Sequence, residues 1–232
     1  MWESELDGRR LTFHLAGINN QNFIMRDEET GTWWQQVSGE AIQGPLKGRR
    51  LTQVYNDELS FATWKREAPQ GRVLRPDPNA RKNYEAANWE EEYARFPVVT
   101  PTNPTDRFPP RMLLAGLSLE GESRAYPLPA LQRQRLILDS VGATPLFLAI
   151  GEDGKSVRAF DRRVNGRTLE FFLQPDTTVP QFLDAETGTR WDFTGAALQG
   201  PLAGSHLIKI PVLKDYWFDW KIYHPKTTVY DR

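Results

Sequence analysis

The sequence predicts an α+β, β-rich fold made of two related units of antiparallel strands with short helices. Three observations predict it. Apolar stretches are strand-sized and end at Gly, Asn-Gly and Asp-Gly turns. Large aromatics are plentiful, with 8 Trp, 12 Phe and 7 Tyr available to fill cores. The chain also repeats itself, the signature of duplicated supersecondary units.

The repeat runs in order along the chain. DGRRLTFHL (7–15) matches NGRTLEFFL (165–173), each opening on a hairpin-turn dipeptide, Asp7-Gly8 or Asn165-Gly166. DEETGTWW (27–34) matches DAETGTRW (184–191) at six of eight positions, and GEAIQGPLKG (39–48) matches GAALQGPLAG (195–204) at seven of ten. Phe61, Trp64, Lys65, Pro69 and Val73 then fall on Trp217, Trp220, Lys221, Pro225 and Val229. Met1 corresponds to roughly Ala159, so nothing in the first copy answers to 112–158. The expected organisation is an N-terminally incomplete first unit over 1–74, a linker over 75–111 and a complete second unit over 112–232. An incomplete unit is expected to leave a strand edge or an aromatic patch uncovered.

Element by element, 112–128 reads as a hairpin turning at Glu120-Gly121-Glu122. PALQRQRLILDSVG (129–142) suits a short helix with Pro129 in its first turn and Gly142 past its end. PLFLAI (145–150) is a buried strand and SVRAFDRRV follows a GEDGK turn. QFLDAETGTRWDF holds two strands around an Asp-x-x-Thr-Gly turn. DYWFDWKIYHP is a helix stopped by Pro225, and Phe61, Trp64 and Ala68 mark its counterpart, stopped by Pro69. In the linker, a helix is expected near 82–95, followed by a stretch with prolines at 97, 101, 104, 109 and 110 that favours an extended chain.

Composition excludes several function classes. With 29 Lys+Arg against 30 Asp+Glu, the 232 residues offer no general attraction for nucleic acid or anionic membrane. No cysteine is present, which removes thiol nucleophiles, Fe–S clusters and thiolate zinc sites. Of three histidines, His206 and His224 have no third ligand at a metal-site spacing, so neither a metal nor a cofactor is expected. Phosphate-loop, dinucleotide, nucleophile-elbow and zincin motifs do not occur. No stretch reaches the ~20 apolar residues of a membrane span, and the start lacks signal-peptide character. A soluble chain of unassigned compartment and oligomeric state is expected.

Residues kept in both copies most economically serve the shared fold: Asp27/Asp184, Thr30/Thr187 and Gly31/Gly188 as turns, and Trp34/Trp191 and Trp64/Trp220 as core. Polar residues present in one copy are the functional candidates. Trp33, Gln35, Gln36, Ser38 and Glu40 are the candidate ligand-binding residues. Glu40 stands where the other copy has Ala196, and His14 where it has Phe172. Glu40 and His14 together form a candidate hydrolytic pair.

RDEETGTWWQQVSGEAIQGPLKGRRL, the Trp-bearing helix ending in Pro, AYPL, LILDSVGATPLFL and AFDRRVNGRTLEF together resemble the DUF3179 family of bacterial proteins. The resemblance covers most of the chain outside the linker. It implies a scaffold whose usual pattern carries a Cys-x-x-Cys pair after a buried strand. Laid on the second copy, that pair falls on Gly151 and Gly154, and in the first copy it precedes Met1. The family carries no assigned function, and export of a longer form is what the resemblance suggests. The expected role is a non-catalytic scaffold for a small ligand or a protein. The alternatives are a fragment of a thiol-redox or metal-binding protein, and a hydrolase using Glu40 and His14.

Overall fold

A computed structural model describes residues 1–100, 102–103, 105–175 and 177–231. Pro101 and Pro104 of the proline-rich stretch lie outside the described residues.

The chain opens on a two-stranded hairpin, β1 (Glu5–Leu6) and β2 (Arg9–Arg10). Asp7 (φ 52°) and Gly8 (φ 76°) are both left-handed, as the tight turn requires. A meander follows: β3 (Phe13–Asn19), β4 (Asn22–Asp27), β5 (Trp33–Gln35) and β6 (Glu40–Gln43), paired in that order. Then come α1 (Phe61–Glu67), a 3-10 helix (Pro78–Asn83) and α2 (Trp89–Arg95). The linker helix is thus shorter than the expected 82–95. Asn83 closes the 3-10 turn, and only WEEEYAR continues as α-helix.

The second half begins with the hairpin β7 (Leu113–Leu119) and β8 (Glu122–Pro127), then α3 (Leu128–Gln134), β9 (Leu136–Val141), β10 (Thr144–Ile150) and β11 (Val157–Asp161). The expected helix over 129–142 is corrected here. Arg135 at φ 64° ends it, and Leu136–Val141 pairs with β10 instead. LILDSV is a β-branched, alternating segment that fits a pleated surface better than a helix.

β12 (Arg163–Val164) and β13 (Arg167–Thr168) repeat the small hairpin, with Asn165 and Gly166 left-handed. A second meander follows: β14 (Phe171–Leu173), β15 (Gln181–Asp184), β16 (Arg190–Asp192) and β17 (Ala197–Gln199). Its order and antiparallel pairing equal those of β3 to β6. Both meanders carry a register shift at the same place, Trp33/Trp34 and Arg190/Trp191. The chain ends with β18 (Lys209–Ile210), β19 (Leu213–Tyr216), α4 (Trp217–Tyr223) and β20 (Thr228–Val229). No described helix is long and apolar enough to cross a membrane.

The sheet β18-β11-β10-β9 is the centre of the second half. Its residues alternate between two cores. Leu146, Leu148, Ile150, Val157 and Ala159 pack with Leu117, Tyr126 and Leu131 of the β7–β8–α3 layer. Phe147, Ala149 and Phe160 face the second meander at Phe171, Phe182, Trp191 and Phe193. Burial on both faces explains the unbroken apolar run of β10. The first meander has a smaller core around Leu11, Trp34, Ala41 and Leu51. Its edge strand β3 and neighbour β4 leave Leu15, Ile18 and Phe23 exposed.

One pairing of expected core tryptophans divides. Trp220 is 1% exposed, whereas Trp64 is only half-buried and Phe61 is exposed. The reason is what each helix covers. α4 packs on β7, where Gly116 has no side chain and a Cβ would lie 2.3 Å from the Trp220 ring. α1 instead caps the β10–β11 turn, and only its Thr63 is buried.

Candidate functional site

The two halves meet along a cleft of about 810 Å³, walled by Met1, Trp2 and the β5–β6 region on one side and by β19 and α4 on the other. Asp215 sits on β19 and Asp219 in the first turn of α4, so the strand-to-helix corner sets two carboxyls side by side. Position 219 suits an acid, because the helix N-terminus favours negative charge.

The surroundings give these carboxyls few donors. Asp215 Oδ1 accepts the Tyr216 N–H at 2.7 Å, and Asp219 Oδ2 accepts from Asn22 Nδ2 at 3.2 Å across the cleft. Asp215 Oδ2 and Asp219 Oδ1 are buried with no donor. Burial, and then the charge of Asp219, push Asp215 up to about 8. Burial also raises Asp219. Asp215 therefore keeps its proton at neutral pH.

The neighbours complete the wall. Tyr223 is raised by burial and by the charges of Asp219 and Asp215, and its hydroxyl donates to the Asn19 carbonyl at 3.2 Å. His224 stacks on Trp220 at 3.8 Å, and burial lowers its pKa, so it is neutral at pH 7. Lys214 pairs with Glu58 at 2.6 Å, and Arg50 with Glu40 at 3.2 Å. Among the described residues no group of three or more His, Cys, Asp or Glu is placed to hold a metal ion.

Of the expected ligand-binding residues, Gln36, Ser38 and Glu40 line this cleft. Gln35 is buried behind it and donates to Asn22 at 3.4 Å and to Tyr223 at 3.2 Å. Trp33 lies in β5 opposite Arg26 and Gln43, outside the lining. His14 is exposed on β3 opposite Arg26 and does not line the cleft with Glu40. Asp215, Asp219, Tyr223 and His224 were not among the expected residues. The matched segments of the sequence differ at all four: Leu59, Thr63, Glu67 and Ala68 stand at the places of Asp215, Asp219, Tyr223 and His224.

A second pocket, of about 670 Å³, lies where α1 meets the second half. Arg158, 2% exposed, bonds Asp57 at 2.7 and 2.9 Å and Glu67 at 2.7 and 2.9 Å. Lys209 adds a 3.1 Å bond to Asp57, and Tyr55 donates to it at 2.5 Å. Burial opposes ionisation of Asp57, but the Arg158 and Tyr55 bonds and the Arg158 charge hold it down at about 2. Gly151 and Gly154 lie beside this contact, in the β10–β11 turn. Asp153 closes that turn by accepting from Lys155 N, Ser156 N and Ser156 Oγ. Thr63 of α1 donates to the same Asp153 at 3.2 Å, and the Ser60 N–H donates to Ser156 Oγ at 3.0 Å.

No curated protein and no solved structure matches the chain. The family model described as protein of unknown function (DUF3179) matches residues 1–227. Spanning nearly all of the sequence, that match makes the chain a member of the DUF3179 family.

Proposed function

We propose that the protein is a ligand-binding scaffold of two related units, 1–74 and 112–232, joined by a linker over 75–111, with its binding site in the cleft between them. The observation that carries this reading is the Asp215–Asp219 pair. It presents two buried, donor-less carboxyl oxygens on the wall of a cleft of about 810 Å³. Buried polar atoms are nearly always satisfied in folded proteins, and exceptions concentrate where a ligand or proton supplies the partner. The relatedness of the units is supported by the paired meanders and by the matching ends of the helices. α1 and α4 finish on Ala68 and His224 with φ/ψ of −125°/66° and −128°/63°.

The hydrolase reading finds little support, because Glu40 is paired with Arg50 at the rim and His14 faces solvent on another strand. A thiol-redox reading has no cysteine in these 232 residues to act through. Screening a fragment library by ¹H–¹⁵N NMR tests the proposal. Binders are expected to shift the Trp220 indole and the Asn22 and Tyr223 amides together. Hits confined to other surfaces, or none across several hundred polar fragments, would overturn it.

A further inference from the structure

We propose that the tip of the β3–β4 hairpin, residues 17–24, is a lid on the Asp215–Asp219 corner of the cleft, and that the linker latches it through the Gln21–Val99 hydrogen bond. This rests on the ligand-binding reading of the cleft and adds how entry to it is controlled.

The lid is an extension that the second meander lacks. β14 and β15 stop pairing at Leu173↔Phe182, the place of Leu15↔Met25. β3 and β4 pair onward through Gly17↔Ile24, Ile18↔Phe23 and Asn19↔Asn22. Bulges bend a strand, and a register shift between Leu15 and Gly17 sits at the root of the extension. From Ile24 toward the turn, the ribbon meets the rest of its meander through one backbone bond, from the Gln36 N–H to the Phe23 carbonyl at 3.2 Å. A two-stranded ribbon is marginal alone, so the tip depends on outside partners. α4 is one of them: Asn22 Nδ2 donates to Asp219 Oδ2 and the Tyr223 hydroxyl donates to the Asn19 carbonyl, both at 3.2 Å. The linker is the other, through the Val99 N–H, which donates to Gln21 Oε1 at 2.9 Å. Arg111 fixes that stretch of linker by donating to the Phe96 carbonyl at 2.6 Å.

The turn shows what Gln21 is for. Among the described residues, four two-residue hairpin turns hold both positions at positive φ: Asp7-Gly8, Asn20-Gln21, Glu120-Gly121 and Asn165-Gly166. Three of them carry glycine second, where an L side chain is strained. Gln21 takes that place at φ 65°, and what its side chain gains there is the bond to Val99. A local rule is broken in favour of a contact.

Closure is weakly held. Of the apolar side chains of 17–24, Ile18 and Phe23 stay exposed and Ile24 alone is buried. Beneath the tip, Asp219 is 8% exposed, and Asp219 Oδ1 and Asp215 Oδ2 are buried without a donor. The closed position therefore carries the desolvation of two carboxyl oxygens, which opening relieves. Terms that oppose one another in this way give the tip two accessible positions.

Amide hydrogen exchange on the full chain tests this. The reporter is the Tyr216 N–H, which donates to Asp215 Oδ1 beneath the lid. Val99→Pro removes the donor of the latch and leaves the hairpin untouched. Gln21→Ala removes the acceptor and keeps the strained turn. Each should speed exchange at Tyr216 about three- to tenfold, the worth of one hydrogen bond, and the double variant should be no faster than either alone. Unchanged exchange in both single variants, or additive effects in the double, would overturn the latch. Faster exchange confined to 17–24 would reveal a fraying ribbon that covers nothing, and would overturn the lid. The unaltered protein decides as well: a Tyr216 amide that exchanges as slowly as the core amides of β10 never opens locally, which is equally fatal. None of these readouts uses a ligand, so a failed lid leaves the binding site to be judged by the fragment screen.

Discussion

Trp191 donates its indole N–H to Asp184 Oδ2 at 2.8 Å, and the same bond at the same length joins Trp34 to Asp27. Around each aspartate the pattern continues unchanged. Thr187 and Thr30 cap it through backbone N–H and hydroxyl, and a second threonine, Thr189 or Thr32, sits 2.7 Å from the first and accepts from Leu202 N or Leu46 N. Two segments 157 residues apart thus make one network twice.

Truncating either aspartate leaves a buried indole N–H and a threonine cap without an acceptor. Asp184→Ala and Asp27→Ala should each cost about 2–4 kcal/mol in urea unfolding. A loss below roughly 0.5 kcal/mol would show that the network is decorative. For Asp27 the sign with pH is defined. Burial works to raise its pKa, but bonds from Trp34, Thr30 and Thr32 outweigh it and leave the pKa below the ordinary 3.8. Its contribution is therefore complete above pH 3.8 and is lost as pH falls through the lower folded value.

Among the described residues, Arg158 is the one cation serving both Asp57 and Glu67 at the contact between α1 and the second half. Arg158→Met leaves Glu67 without its cation and Asp57 with Lys209 alone in a half-buried site, and a loss of about 3–5 kcal/mol is expected. Adding Asp57→Asn and Glu67→Gln to Arg158→Met should recover most of it, since the penalty comes from unpaired charge. Hydrogen exchange over 60–67 supplies the local readout, with α1 exchanging faster in the single variant and near the parent rate in the triple. The Asp57 contribution is complete above pH 3.8 and fades as pH falls through about 2.

Much of this was legible from residue types. Asp7-Gly8 and Asn165-Gly166 announce their turns because two successive left-handed residues are cheap only there. The Asp-x-x-Thr-Gly spacing announces its cap because an aspartate reaches backbone N–H groups a few residues on. The second half of the expected 129–142 helix was not legible. LILDSV is apolar enough for either period, and long-range pairing with β10 decides it. The Asp215–Asp219 pair was hidden for a different reason. A charged residue is ordinarily solvated, and what buries this one is the first half of the chain, through Asn22 and the cleft wall. Its trace in the sequence is that the matched positions, Leu59 and Thr63, carry no acid.

Gly44 and Gly200 test the backbone of the shared turn. They stand at φ 108° and 114°, and a Cβ would lie 2.8 and 2.7 Å from the Cα of Thr32 and Thr189. Neither backbone can yield without breaking the threonine pair. Gly44→Ala and Gly200→Ala should each cost about 3 kcal/mol or more. Gly48 and Gly204, also left-handed but with nothing within 4 Å of a Cβ, provide the comparison. Alanine there should cost about 1 kcal/mol. Equal losses at all four positions in thermal unfolding would refute the steric account.

Asp215 should make the protein less stable as the solution becomes more alkaline. Its pKa is about 8 in the folded chain, against an ordinary 3.8, so between those values the folded state holds a proton that the unfolded state has lost. Unfolding then releases a proton, and stability falls as pH rises through that window and levels off above about 8. Asp215→Asn keeps the shape and removes the titration. It should flatten the slope and raise stability at pH 9 by about 2 kcal/mol or more, against little change at pH 4. Urea unfolding at four pH values between 4 and 9 measures both proteins. Parallel curves for the two, with no convergence at the acid end, would show that folded Asp215 holds no extra proton.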